Sequence, residues 1–186
     1  MPPRRFHADP HSKMKIGIVS DSHDRADALA SAVFEAVAQG AQAIIHCGDL
    51  IGGHTLRPAM EAGVPLHLVH GNNLGDPHAL HRLATASGGR LHYHGMDLRV
   101  DWAGRRIFAM HYPEYGYAMA CTGDFDLVCS GHSHEARIDR VANVKGGTTV
   151  LVNPGTVAGI GAPATFAMGD LATMQFEVRS TPSMRS

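Results

Sequence analysis

The sequence predicts an α/β fold in which strands and helices alternate in the first half of the chain and short strands follow in the second. Residues 15–20 are apolar and rich in β-branched side chains, which is typical of a buried strand. Residues 25–38 carry apolar side chains at helical spacing, and Gly40 follows as a stop signal. Further strands are predicted over 43–46 and 64–69. Such alternation favours a parallel sheet covered by helices.

After residue 88 the pattern changes to closely spaced strands. Ala103-Gly104 offers a tight connection between two of them. Parallel units followed by such strands suggest two sheets that pack against each other with helices outside. The sequence shows no internal repeat and no linker that would divide it. The later strands are predicted over 90–94, 97–102, 105–110, 126–130, 135–141, 148–152, 164–168 and 171–178.

The bulk composition fits one globular domain. The chain has 186 residues, 44% apolar content and a formal net charge of −1, which gives no sign of a nucleic-acid-binding surface. No apolar run approaches the roughly 20 residues that a membrane helix needs. Residues 1–13 are polar and proline-rich, so we predict a disordered extension there and a single domain over 14–186. Without a secretory signal or a disulfide framework among three cysteines, the expected location is the cytoplasm.

Fourteen histidines direct attention to metal chemistry, because imidazole is a common metal ligand. Histidine, aspartate and asparagine residues stand at the ends of five predicted strands. Sites in open α/β sheets form outside the carboxyl ends of strands, so we expect these side chains to converge although they are far apart in the sequence. They are Asp21, His23, Asp49, Asn72, His111, His132 and His134.

The local spacing supports a shared role for these residues. In extended chain, side chains at i and i+2 point the same way, which predicts Asp21/His23 and His132/His134 as local pairs of ligands. A glycine precedes three of the seven residues and allows a sharp turn into the cleft. Mixed carboxylate, imidazole and amide ligands suit Mn²⁺, Fe²⁺ or Zn²⁺. Seven ligands fit two ions about 3.5–4 Å apart with one bridging carboxylate, an arrangement used for in-line phosphoryl displacement.

The ordered set of motifs resembles that of the calcineurin-like metallophosphoesterases over about residues 14–156. It is similar in particular to the small bacterial and archaeal phosphodiesterase branch, to which the Asn153-Pro-Gly155 turn also belongs. The resemblance implies a four-layer α/β/β/α sandwich with two mixed β-sheets, the metallo-dependent phosphatase fold. The motifs that carry it are Asp21-Ser-His23, Gly48-Asp49, Gly71-Asn72, His111 and Gly131-His132-Ser-His134.

The resemblance also implies a dinuclear centre with a hydroxide between the ions that attacks phosphorus. Asp49 would bridge the ions, and Asn72 would also contact a phosphate oxygen, so these two are the predicted catalytic residues. Mn²⁺ is the favoured ion, with Fe²⁺, Zn²⁺, Ni²⁺ and Mg²⁺ as alternatives. The first ion would be held by Asp21, His23 and His134, and the second by Asn72, His111 and His132.

One position departs from the family pattern. Many members carry a histidine after the Gly-Asn pair, where it assists the leaving group, whereas this chain has Asn73. General acid catalysis contributes typically about 10²–10⁴-fold, so its loss favours substrates with good leaving groups. Asp76 and His78 are the nearby alternatives for a proton donor.

A few other residues permit two interpretations. His46 could support Asp49 from behind, while His67, inside an apolar strand, is expected to be a hydrogen-bonded core residue. His111 rests on its order and strand position alone. The tyrosines within 112–117 could form a substrate wall, but aromatic packing or a subunit contact is equally compatible with the pattern.

We therefore expect a metal-dependent phosphoesterase, most simply a phosphodiesterase with some monoesterase activity, that acts on a small-molecule phosphoester. The alternatives are a non-catalytic metal-binding scaffold or interaction module of the same fold, and a metal-binding regulator with vestigial turnover. Scaffold relatives have lost metal-binding histidines, whereas this chain keeps every predicted ligand. If copies associate, a homo-oligomer is expected, most commonly a dimer.

Overall fold

The structure is a computed structural model that describes residues 13–73 and 75–182. The predicted extension over 1–13 lies outside the described residues, except for Lys13. The elements follow one another in the order β1 (Lys15–Val19), α1 (Ala26–Ala38), β2 (Ala41–His46), α2 (Gly53–Met60), β3 (Leu66–Leu68), α3 (Pro77–Ala86), β4 (Leu91–Tyr93), β5 (Asp97–Trp102), β6 (Arg105–Met110), α4 (Pro113–Thr122), β7 (Leu127–Cys129), β8 (Ala136–Ala142), β9 (Thr148–Pro154), β10 (Thr165–Asp170) and β11 (Gln175–Ser180).

The strands form two mixed sheets. The first has the order β11-β10-β1-β2-β3-β4, in which β1 to β4 are parallel and β10 and β11 pair antiparallel. The second has the order β5-β6-β7-β9-β8, in which β6, β7 and β9 are parallel and the two edge strands are antiparallel. The parallel strands of each sheet therefore end at one edge, where the loops that follow them meet.

Three apolar layers hold the sheets and helices together. Because successive side chains of a strand point to opposite faces, Ile44 of β2 packs toward the helices and Ile45 packs between the sheets. Helices α1, α2 and α3 cover the first sheet, with Leu29 and Phe166 fully buried beneath them. Helix α4 covers the second sheet through Ala120. The architecture is the predicted four-layer α/β/β/α sandwich.

Two helices, α3 and α4, have clear end signals but short buried faces. The Asp76 carboxylate caps α3 by accepting hydrogen bonds from the backbone N–H groups of His78 and Ala79, at 2.8 and 3.1 Å. Helix α4 ends at Gly123, whose φ of +69° is left-handed. Helix α3 buries Leu80 alone, and helix α4 buries a glycine and an alanine. Neither helix therefore has a periodic pattern of apolar residues from which it could be predicted.

The last predicted strand lies later than expected. The prediction placed it at 171–178, whereas β11 covers Gln175–Ser180. Residues 171–174 form a turn instead, closed by a hydrogen bond of 2.8 Å from the Met174 N–H to the Asp170 carbonyl. The other predicted strands lie within a few residues of the observed ones. Among the described residues, no helix is both long enough and apolar enough to cross a membrane.

Candidate metal centre

The structure brings all seven predicted site residues to the edge where the parallel strands of both sheets end. Each residue stands in a loop directly after a strand, as predicted. Asp21 and His23 follow β1, Asp49 follows β2, Asn72 follows β3, His111 follows β6, and His132 and His134 follow β7.

The backbone of these loops is unusual. Seven non-glycine residues in the described part of the chain have positive φ, and five of them belong to the predicted site. Left-handed backbone is uncommon outside glycine and persists only where the surroundings enforce it, often at functional sites. The expectation that the two local pairs lie in extended chain was therefore wrong. The five residues are Asp21 (53°), His23 (46°), Asp49 (56°), His132 (69°) and His134 (60°).

Two of the glycines that precede site residues supply space. A Cβ on Gly71 would collide with the Asp49 carboxylate, and a Cβ on Gly131 would collide with the Ser20 hydroxyl. Neither glycine has positive φ, whereas Gly48 has a φ of +104°. The prediction that glycine is needed for a sharp turn therefore applies to Gly48. Gly71 and Gly131 are explained instead by close packing, around Asp49 and beneath the His132 loop respectively.

The Nε2 atom of His111 is the meeting point of one group of ligands. His111 is 1% exposed, and its Nδ1–H donates to the Cys47 carbonyl at 2.9 Å, which leaves Nε2 with a free lone pair. This nitrogen lies 3.0 Å from Asn72 Oδ1, 3.2 Å from Asp49 Oδ1 and 3.2 Å from His132 Nδ1. Such a convergence of lone pairs is the arrangement that a cation stabilises.

A second group forms around Asp21. Its carboxylate and the imidazoles of His23 and His134 present atoms that all lie within 4.8 Å of one another. The His134 Nδ1–H donates to the Ile160 carbonyl at 2.7 Å, so its Nε2 keeps a lone pair, 3.3 Å from Asp21 Oδ1. Asp21 Oδ1 and His23 Nε2 are buried, and no hydrogen bond from a described residue reaches either atom. Two buried polar atoms without partners fit a bound cation.

Asp21 and Asp49 are buried carboxylates, 0% and 2% exposed. Burial raises the pKa of Asp21. Burial is the largest influence on Asp49 and opposes its ionisation, but hydrogen bonds from the side chain and backbone of Asn73, together with the neighbouring histidines, lower the pKa of that carboxyl. Neither carboxylate forms an ion pair with Lys or Arg among the described residues. Two such groups require positive charge, which divalent cations would supply.

His46 supports the site from behind, as the sequence suggested, but through the backbone. The Gly48 N–H donates to its Nδ1 at 3.2 Å, so its Nε2–H donates to the Ser22 hydroxyl at 2.8 Å. Burial, followed by the charge of His111, lowers the pKa of His46 from 6.5 to about 3, which keeps the ring neutral. The imidazole thereby ties the loop that carries Asp49 to the loop after β1.

The role of Asn153 was not apparent from the sequence. Its side-chain N–H groups donate to the Gly131 carbonyl at 2.8 Å and to the Ser133 hydroxyl at 3.0 Å, and its Oδ1 accepts from the Gly155 N–H at 3.1 Å. These bonds fix the loop that carries two of the predicted histidine ligands. The Asn-Pro-Gly sequence indicated a turn, but the partner of the asparagine is 20 or more residues away in the chain.

The tyrosines after β6 divide into packing and exposed residues. The Tyr112 ring lies edge-on to the rings of His111 and His132, with centroid distances of 5.2 Å to both. Tyr115 and Tyr117 are 58% and 55% exposed. Aromatic packing therefore accounts for Tyr112, which also contacts the Tyr115 ring edge-on, while for the exposed Tyr115 and Tyr117 a substrate wall and a subunit contact both stay predictions.

Comparison with known proteins decides the family. The calcineurin-like phosphoesterase superfamily domain matches residues 14–174. The chain belongs to this superfamily. Phosphodiesterase MJ0936 of Methanocaldococcus jannaschii is 25% identical over 147 residues, which cover 78% of this chain and 86% of that protein. The predicted membership of a family of phosphoester-hydrolysing enzymes is thereby confirmed.

Solved structures share the fold of this calcineurin-like phosphoesterase. One, described as a novel archaeal phosphodiesterase, has a TM-score of 0.80 at 22% identity, covering 90% of this chain and 99% of that chain. Vacuolar Protein Sorting 29 from Cryptosporidium parvum has a TM-score of 0.59 at 13% identity, covering 90% and 96%. At these identities the likeness shows the fold alone.

Proposed function

We propose that this calcineurin-like phosphoesterase hydrolyses phosphodiesters at a centre of two divalent metal ions. The observation that carries the proposal is the convergence of nitrogen and oxygen atoms around His111 Nε2, beside two buried carboxylates. Imidazole, carboxylate and amide ligands suit Mn²⁺, which we propose as the preferred ion, with Fe²⁺, Zn²⁺, Ni²⁺ or Mg²⁺ as alternatives. The predicted cytoplasmic location and homo-oligomer stay predictions.

The two groups of ligand atoms support one ion each. Asp49 lies between the groups, since its carboxylate contacts His111 while its backbone carbonyl accepts a hydrogen bond from the His23 N–H at 2.8 Å. We therefore assign it as the bridging ligand, although Asp21 also lies within reach of both groups. The first ion would be held by Asp21, His23 and His134, and the second by Asn72, His111 and His132.

When bound, such ions activate water and polarise the phosphoryl oxygens. The protein itself contributes orientation and hydrogen bonding. The Oδ1 of Asn72 faces His111 Nε2, so its side-chain N–H₂ group is free to donate to a phosphoryl oxygen of the substrate. The carbonyl partners of His111 and His134 hold each ring so that Nε2 faces the site.

The charges around the site favour a diester over a monoester. The charged groups that act on the two buried carboxylates are histidines and aspartates, and no Lys or Arg is among them in the described part of the chain. A phosphomonoester carries about −1.5 to −2 charges at pH 7, and arginine is the usual partner for that charge. A diester carries a single negative charge and needs no such partner.

A non-catalytic scaffold of the same fold is the second candidate, because the fold is shared with Vacuolar Protein Sorting 29. The left-handed backbone at five site residues and the buried Asp21 Oδ1, which receives no hydrogen bond from a described residue, favour the enzyme. Strained loops and desolvated carboxylates oppose folding, and a scaffold without ions would gain nothing from keeping them.

The test is hydrolysis of bis-p-nitrophenyl phosphate by metal-free protein, with and without each divalent ion. We expect Mn²⁺-dependent turnover that a chelator abolishes, and slower hydrolysis of p-nitrophenyl phosphate. His132→Ala and Asp49→Asn should abolish turnover, while the matched control His81→Ala, an exposed residue of α3, should not change it. Absence of turnover with every ion would refute the enzyme and leave the scaffold.

A further inference from the structure

Asn73 follows the predicted ligand Asn72 in the loop after β3. In this structure its side chain is turned toward Asp49. The Asn73 backbone N–H donates to Asp49 Oδ1 at 2.8 Å, and its side-chain Nδ2–H donates to Asp49 Oδ2 at 2.6 Å. Among the described residues, Asn73 supplies both hydrogen bonds that this carboxylate receives.

The two oxygens of Asp49 face different partners. Oδ1 lies 3.2 Å from His111 Nε2 and also accepts the hydrogen bond from the Asn73 backbone N–H, whereas Oδ2 accepts the one from the Asn73 side-chain amide. Gly71 lies against Oδ1 without a side chain, so the Gly71-Asn72-Asn73 segment wraps around the carboxylate. The plane of the carboxylate is thus fixed by two donors from one residue, with one oxygen directed at the centre.

We propose that Asn73 is a positioning residue that holds the Asp49 carboxylate in the orientation in which it would serve as a ligand to the proposed ions, an inference that rests on the proposed function. The amide gives its hydrogen bond to Oδ2, the oxygen other than the one that contacts His111. Partners of this kind, which hold a ligand rather than the ion, typically contribute about 10–100-fold to metal affinity.

The test is calorimetric titration of the metal-free full-length chain with Mn²⁺. Asn73→Ala is expected to weaken binding by about 10–100-fold. Asn143→Ala is the matched control, because it removes the same side chain from the turn between β8 and β9, where Asn143 donates to Thr149 and accepts from Gly147. We expect unchanged affinity in this control. Circular dichroism of both variants confirms that they are folded.

Steady-state kinetics separate positioning from substrate contact. In Asn73→Ala, the Mn²⁺ concentration for half-maximal activity should rise while the KM for bis-p-nitrophenyl phosphate at saturating Mn²⁺ stays unchanged. A raised KM with unchanged Mn²⁺ affinity would assign Asn73 to the substrate and overturn the inference. Tighter Mn²⁺ binding would show that the amide competes with the ions and would also overturn it.

The failure of the proposed function is distinguishable from the failure of this inference. If the unmodified protein binds no divalent ion, the dinuclear centre itself is refuted. If the unmodified protein binds two ions and Asn73→Ala binds them equally well, the proposed function stands and the role of Asn73 is refuted.

Discussion

Acidification from about pH 7.5 to about pH 5 is expected to destabilise the protein through His67. This residue of β3 is 9% exposed, its ring stacks on His92 at 4.5 Å, and its Nδ1 lies 3.0 Å from His94 Nε2. The indole ring of Trp102 packs edge-on against the His67 ring. Burial, followed by the charges of His92 and His94, lowers the pKa of His67 from 6.5 to about 3. The groups that face it are thus two imidazoles and an indole, without a carboxylate that would favour the charged form.

The sign follows from the linkage between protonation and folding. A histidine whose pKa is lowered in the folded state contributes its full stability above the unfolded pKa of 6.5. Below that pH the unfolded chain takes up a proton that the folded chain refuses. At about 1.4 kcal/mol per pH unit, His67 alone should lower the free energy of unfolding by about 2 kcal/mol at about pH 5.

The measurement is urea unfolding with a chelator present, so that metal binding does not enter the comparison. His67→Gln removes the titration and keeps a hydrogen-bonding side chain. Its free energy of unfolding should fall less steeply with pH than that of the unmodified protein, by about 2 kcal/mol at about pH 5. His81→Gln, on the exposed face of α3, serves as the control and should follow the unmodified protein. If the free energy of unfolding fell in parallel with pH for all three proteins, the acid destabilisation would not come from protonation of His67.

Two further predictions concern the metal centre. A Cβ on Gly71 would collide with the Asp49 carboxylate and lie 2.8 Å from His111 Cδ2, so we expect Gly71→Ala to lose Mn²⁺ binding in a calorimetric titration. Gly147→Ala is the control, because the nearest atoms to its added Cβ would be 3.6 Å away, and it should bind Mn²⁺ normally. With Asn73 committed to Asp49 and Asp76 committed to the cap of α3, we propose that neither residue supplies an acid to the leaving group, and replacement of p-nitrophenol by an alkyl alcohol in the diester should slow turnover by at least the roughly 10²–10⁴-fold that a general acid would otherwise supply. Equal rates with both leaving groups would reveal a proton donor.

The positions of the candidate ligands were accessible from the sequence because two simple rules act together. Apolar runs locate strands, and the carboxyl ends of parallel strands meet at one edge. Asp49 and Asn72, separated in the chain by a helix and a strand, are brought to the same side of His111 by that topology alone. His111 had the weakest local sequence motif among the candidate ligands, yet it lies at the centre of the observed group of ligand atoms. Its position follows from the end of strand β6.

The conformation of the loops and the partners within them were not accessible in this way. Left-handed backbone at His132 and His134 depends on contacts with distant segments, such as the hydrogen bond of 3.0 Å from the His132 N–H to Asp21 Oδ2. A rule for extended chain cannot anticipate this. The partner of Asn73 is 24 residues away, and that of Asn153 is 22. The helices α3 and α4 were not predicted because their buried faces are too short to create a periodic pattern.

The orientation of the histidines links the fold to the proposed chemistry. His111 and His134 each donate their Nδ1–H to a main-chain carbonyl, which selects the tautomer with a lone pair on Nε2. Carbonyls at Cys47 and Ile160 belong to the backbone, so side-chain substitution does not remove them. The folded chain therefore presents unprotonated nitrogens beside buried carboxylates before any ion arrives. An arrangement of this kind opposes folding by itself, because lone pairs and negative charges face one another without protons between them. Cations in the space that these atoms enclose would offset this cost, so the strained loops fit the preformed metal centre that we propose.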